Sequence, residues 1–129
     1  MLAKLPNDYI LVRVGASNKT FKMIQNMGLQ NRVILKKDIN ILELADIYRG
    51  SDVLIFPSLF EGFGIPLIEA MASGTSVITS NRGSLPEVVG EAGIIADPFD
   101  VDFMSENIQV LLETEKGAQK YIDNVISLL

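Results

Sequence analysis

The sequence predicts an α/β domain with a mostly parallel sheet and helices on both faces, and three observations carry that expectation. Apolar, β-branched runs alternate with segments of helical periodicity along the chain. One run, Val53-Leu54-Ile55-Phe56-Pro57, is apolar throughout, as a strand covered on both faces must be. Glycine and proline stand where helices stop and start: Gly28, Gly50 and Gly74 close helical patterns, and Pro66 opens one.

Taken in order, Tyr9 to Val14 reads as a strand entering the turn Gly15-Ala16-Ser17-Asn18. Phe21, Ile24 and Met27 recur at helical spacing, with Met23 and Met27 expected as core fillers. Asn31 to Leu35 is the second strand, Ile41 to Tyr48 an amphipathic helix, and Val53 to Pro57 the third strand. Pro66 to Ser73 is a helix and Ser76 to Thr79 the fourth strand. Leu85 to Val89 forms a short helix, with Ser84 and Glu87 spaced as a capping box. Gly93 to Ala96 is a fifth strand, stopped by Asp97-Pro98, and two helices, Val101 to Leu112 and Lys116 to Leu128, close the chain. No repeat, linker or low-complexity tract interrupts the alternation, so residues 1–129 are expected to form one domain.

Composition excludes several chemistries. The chain of 129 residues has no Cys and no His, which removes disulfides, thiolate or imidazole metal sites, and Ser-His or Cys-His nucleophile pairs. Its net charge of −5, with no basic cluster longer than Lys36-Lys37, argues against nucleic acid as a partner. No apolar run approaches the roughly 18 residues a membrane span needs, and the N-terminus lacks an export pattern; a cytoplasmic protein is expected.

In a parallel α/β fold, ligands bind outside the carboxyl ends of the strands. The segment after the buried third strand, Ser58 to Ala70, is where chemistry is expected. Gly62 and Gly64 allow close backbone approach, and the N–H groups of Phe63, Gly64 and Ile65 lead into a helix N-terminus that favours an anion. Glu61 lies in the loop and Glu69 about one turn into the helix, so two carboxylates flank an amide-lined anion pocket. Ionised carboxylates accept hydrogen bonds only, which suits sugar and ribose hydroxyls. A nucleoside diphosphate sugar presents ribose, phosphates and sugar in that order. Taken singly, Glu69 reads as a solvated helix residue and Glu61 as turn chemistry; the whole string distinguishes them. With Leu at position 67 the glycines do not complete G-x-G-x-x-G, and no G-K-[ST] follows, so a dehydrogenase and a P-loop NTPase are both disfavoured.

The string EGFGIPLIE, continued by AMASGTSVITSNRGSLPEVVGEAGIIADPFD and preceded by IYRGSDVLIFPS, resembles the donor-binding, C-terminal half of retaining GT-B glycosyltransferases of the group-1 or family-4 type. The likeness runs from about Asn31 to Asp100. It implies a Rossmann-like sheet and transfer of a sugar from a UDP-, GDP- or ADP-sugar, with retention, no metal and no cofactor. Carried over residue by residue, it gives Glu61 the catalytic place, orienting the transferred ring. Gly62, Phe63, Gly64, Ile65 and Leu67 would cradle sugar and distal phosphate, and Glu69 would accept from the ribose. Lys37, after the second strand, stands where such proteins seat the base; two lysines there depart from the usual small residues.

The resemblance also implies what lies outside these residues. GT-B enzymes use two such domains, and the acceptor-binding one precedes this one in the chain or is supplied by a separate subunit. The domain normally opens with a central strand and a basic pair facing the diphosphate, whereas Met1 to Pro6 resembles the end of the helix that follows them. The sheet is therefore expected to lack its first strand, leaving the Tyr9 and Val53 strands to pair directly or to expose edges that invite a homodimer. Weak donor binding is expected, with any membrane association made through a domain or partner outside the 129 residues. The alternative is a non-catalytic sugar-nucleotide-binding or interaction subunit.

Overall fold

The structure, a computed structural model, describes residues 1–15, 17–59, 63–116 and 124–128. A short 3-10 turn, Leu2–Lys4, is followed by β1 (Tyr9–Val14), α1 (Asn18–Asn26), β2 (Val33–Lys36), α2 (Ile41–Gly50) and β3 (Val53–Phe56). Then come α3 (Ile65–Ala72), β4 (Ser76–Ser80), α4 (Leu85–Val89), β5 (Ile94–Ala96), α5 (Val101–Lys116) and β6 (Asn124–Leu128). The six strands form one sheet in the order β2-β1-β6-β3-β4-β5, and every pairing is parallel. All the carboxyl ends therefore share one edge, the edge that carries the loops after β1 to β5.

Strand alternation divides the core into two layers. Val53 and Ile55 of β3 join Leu11, Ile78 and the α5 residues Met104, Ile108 and Leu112 on one face. Leu54 and Phe56 join Tyr48, Leu67, Ala70, Val77, Leu85 and Val89 on the other. The spacing of Met104, Ile108 and Leu112, one helical turn apart each, is what lets a single stripe of α5 seal its face. β3 is buried at all four positions, as a continuously apolar strand between two helical layers should be. Arg32 fastens the N-terminal segment, donating to the carbonyls of Leu5, Pro6 and Tyr9 at 3.3, 2.7 and 3.2 Å. Lys4 and Asp102 pair at 2.5 Å between exposed side chains, tying the first turn to α5.

Four expectations are corrected. The segment expected to be a helix from Lys116 to Leu128 instead extends α5 to Lys116 and returns as the strand β6, residues 117–123 lying outside the described ones. The Tyr9 and Val53 strands neither pair with each other nor expose edges, because β6 fills the place between them: Tyr9 to Arg13 run beside Asn124 to Leu128, and Val53 to Ile55 beside Ile126 to Leu128. The exposed central edge that pointed to a homodimer is thus occupied by a strand of the same chain. Ser84 precedes α4 with helical backbone angles and makes no side-chain cap bond, so the capping box does not form. Met23 and Met27 are half exposed rather than core, because no residue of α1 is fully buried; they line a cavity of about 270 Å³ with Leu11, Arg13 and Val33.

Candidate functional site

The loop leaving β3 is held from the neighbouring strand. The Thr79 hydroxyl donates to the Phe56 carbonyl at 3.0 Å and the Ser80 hydroxyl to the Ser58 carbonyl at 2.5 Å. Ser80 Oγ in turn accepts from the Arg82 N–H at 3.3 Å. Both hydroxyls belong to buried residues at the end of β4, so the start of the loop is fixed by the sheet itself. Arg82 faces Asp97 at 3.9 Å, both side chains being partly exposed.

The loop re-enters the described residues at Phe63 and turns into α3 through Gly64, whose φ of +69° is left-handed. A Cβ there would also stand 2.8 Å from Leu85 Cδ2 and 3.3 Å from Leu67 Cδ1, so the backbone angle favours glycine and any side chain would force these leucines to shift. The Gly64 carbonyl accepts from the N–H of Leu67 at 3.0 Å and of Ile68 at 3.4 Å. Leu67 therefore seats the helix: its N–H is bonded inside the first turn and its side chain is fully buried, so it does not extend the expected amide cradle. Phe63 and Ile65 carry side chains 69% and 60% exposed beside the helix N-terminus, where the first N–H groups have no partner within a helix.

Glu69 sits one turn into α3 and is half-buried. Its neighbour is Tyr48, in the last turn of α2, which is 2% exposed. The Thr75 hydroxyl holds the Tyr48 carbonyl at 2.5 Å and Ser73 Oγ holds the Glu69 carbonyl at 3.0 Å, so both side chains hang from anchored backbone. Burial raises the Tyr48 phenol well above the ordinary tyrosine range, and the charge and hydrogen-bonding reach of Glu69 raise it further. The hydroxyl itself is enclosed and makes no hydrogen bond.

Of the expected site residues, Phe63, Gly64, Ile65, Leu67 and Glu69 are brought together around the N-terminus of α3. Glu61 and Gly62 lie outside the described residues. Lys37 is exposed in the loop after β2, beside Asp38, which holds a left-handed φ of 56°. Its neighbour Lys36 lines a cleft of about 230 Å³ with Ile39, Glu43, Asp46 and Ile47. Among the described residues no three acidic side chains gather as a metal site would require, and no helix is long and apolar enough to cross a membrane. Sequence reasoning misses Tyr48 and the pair Thr79 and Ser80. Within its amphipathic pattern Tyr48 is an ordinary core position, and Thr79-Ser80 carries no signal beyond that of a strand end.

Comparison with known proteins bears on the family and the fold. Residues 1–127 match the family described as glycosyl transferases group 1. The chain is 47% identical over 73 residues to the O-antigen chain mannosyltransferase B of Escherichia coli, which covers 57% of this chain and 19% of that protein. It is 34% identical over 118 residues to the MMP alpha-(1->4)-mannosyltransferase of Mycolicibacterium hassiacum, covering 89% of this chain and 29% of that one. The chain thus spans less than a third of the length of either relative. Among solved structures, the sucrose-phosphate synthase of Thermosynechococcus elongatus superposes with a TM-score of 0.72 at 26% identity, over 87% of this chain and 38% of that one. The parallel sheet flanked by helices is Rossmann-like, as in that synthase. On the match of nearly its whole length, the chain belongs to the glycosyl transferases group 1 family.

Proposed function

We propose that this chain is the nucleotide-sugar-binding part of a retaining glycosyltransferase, forming one domain over residues 1–129. The observation that carries the reading is the placement of a half-buried Glu69 one turn behind the left-handed Gly64, at the carboxyl edge of an all-parallel sheet. In this reading the N–H groups at the start of α3 meet the diphosphate and Glu69 accepts from ribose hydroxyls. Glu61, in the loop just before, orients the transferred sugar, and Lys37 flanks the base. The donor is a UDP-, GDP- or ADP-sugar, used without a cofactor or metal. Two of the relatives are named for mannosyl transfer, which makes a mannosyl nucleotide the first donor to try. The acceptor is held by a preceding domain or a separate subunit, and the exposed Phe63 and Ile65 give that half an apolar rim to close against. The protein works in the cytoplasm and reaches a membrane only through that other half.

Calorimetric or NMR titration of UDP-, GDP- and ADP-sugars into the wild-type chain and Glu69→Ala tests the reading. One donor class is expected to bind in the millimolar range, with Glu69→Ala weakening it about tenfold, the size of a lost hydrogen bond to a charged group. Absence of any response to all three classes would sink the donor-binding reading. Equal affinity in Glu69→Ala would sink the ribose role.

A further inference from the structure

Tyr48 is fixed where a core residue has little reason to carry a hydroxyl. It is 2% exposed, packed among Leu54, Leu67 and Ala70, and its hydroxyl oxygen is enclosed without a well-formed hydrogen bond. A buried hydroxyl in that condition carries a desolvation cost that a phenylalanine would avoid, so such a group calls for an explanation. The one the fold offers is Glu69: α3 packs against α2, and its residues Leu67 and Ala70, on either side of Glu69 in the chain, share the core layer of Tyr48. The two side chains come from different helices, α2 and α3, and each is anchored by a hydroxyl-to-carbonyl bond on its own backbone, Thr75 to Tyr48 and Ser73 to Glu69.

An ionised carboxylate offers two oxygens and only acceptor sites, while a neutral phenol facing it has a single O–H to give. Burial first, and the Glu69 charge after it, favour the neutral phenol, which keeps its O–H to donate. Resting on the donor reading above, we infer that Tyr48 is a positioning residue: its O–H takes one oxygen of Glu69 from the buried side and leaves the other turned outward for a ribose hydroxyl. The hydroxyl makes no hydrogen bond in this structure, and the bond forms when ribose fixes the carboxylate. The hydroxyl then serves binding rather than folding, and the two can be separated.

Tyr48→Phe removes one oxygen atom and keeps the ring. Its unfolding midpoint in urea is expected to stay at or above wild type, since an under-satisfied buried hydroxyl is gone. Its affinity for the nucleoside diphosphate that wild type binds best among UDP, GDP and ADP is expected to fall about tenfold, while affinity for the 2′,3′-dideoxy counterpart stays unchanged. Glu69→Gln, which keeps the shape of the side chain, should lose the same ribose preference. A wild-type ribose preference lost in Glu69→Gln but intact in Tyr48→Phe would overturn the role of Tyr48 and leave the donor reading standing. No binding of any nucleoside diphosphate by the wild type would overturn the donor reading and, with it, the ribose role.

Discussion

Gly64 has two reasons to be glycine. The sequence suggests close approach to a ligand; the structure adds that its φ of +69° is left-handed and that Leu85 Cδ2 would stand 2.8 Å from a new Cβ. Gly64→Ala is therefore expected to lose about 1–3 kcal/mol of stability, from the backbone penalty and from overpacking against Leu85 and Leu67. A lower urea midpoint at unchanged slope would show it, and an unchanged midpoint would contradict it. Other positions are not legible one at a time. That Thr79 and Ser80 donate to carbonyls of the β3 strand and its loop follows from parallel register, which no local pattern reveals. Ser84 and Glu87 illustrate the converse: the capping spacing is present, but Ser84 takes helical angles and the cap bond is not made. Leu67 follows the glycines, which suggests a place in a ligand cradle, and its burial against the sheet reassigns it to the core.

At the scale of elements, the apolar run of β3, the Gly and Pro punctuation of α3 and the short α4 are visible in the sequence because local pattern and tertiary place agree there. β6 is not. Asn124 to Leu128 holds three apolar residues in a short run, and such a run cannot be told from a helix segment by periodicity alone. What decides is distant: a place between β1 and β3 with a parallel partner on either side. Because β6 is paired on both flanks, Ile126→Pro removes a backbone donor from the middle of the sheet. A loss of about 3 kcal/mol or more is expected, a large fraction of a typical total of about 5–15 kcal/mol. Thermal unfolding followed by circular dichroism checks it; a cooperative transition at the wild-type temperature would show that β6 does not hold the two sides of the sheet together.

For the molecule as a whole, the charge balance makes a statement about the ligand. On the proposed donor reading, a chain of net charge −5 with Glu69 one turn into α3 offers a diphosphate backbone dipoles and few cations. Raising ionic strength from about 50 to 300 mM screens that repulsion, so donor affinity is expected to hold steady or rise, where a site built on lysine and arginine would weaken. Titration of the best-bound nucleoside diphosphate at the two salt levels measures the sign; a clear loss of affinity at high salt would point to lysine or arginine meeting the diphosphate directly.

The position of β6 also sets a timetable. This strand lies in the middle of the sheet yet is the last of the six to be made, and β1 has to wait for Asn124 to Leu128 before it gains its second neighbour. Contacts so distant along the chain are slow to form because the intervening loop must close first. During synthesis the β1–β2 pair and the β3–β4–β5 group would leave the ribosome as two unjoined patches, each with an open inner edge, until Asn124 to Leu128 emerge. Mispairing is thus the greatest hazard in the interval just before β6 is available.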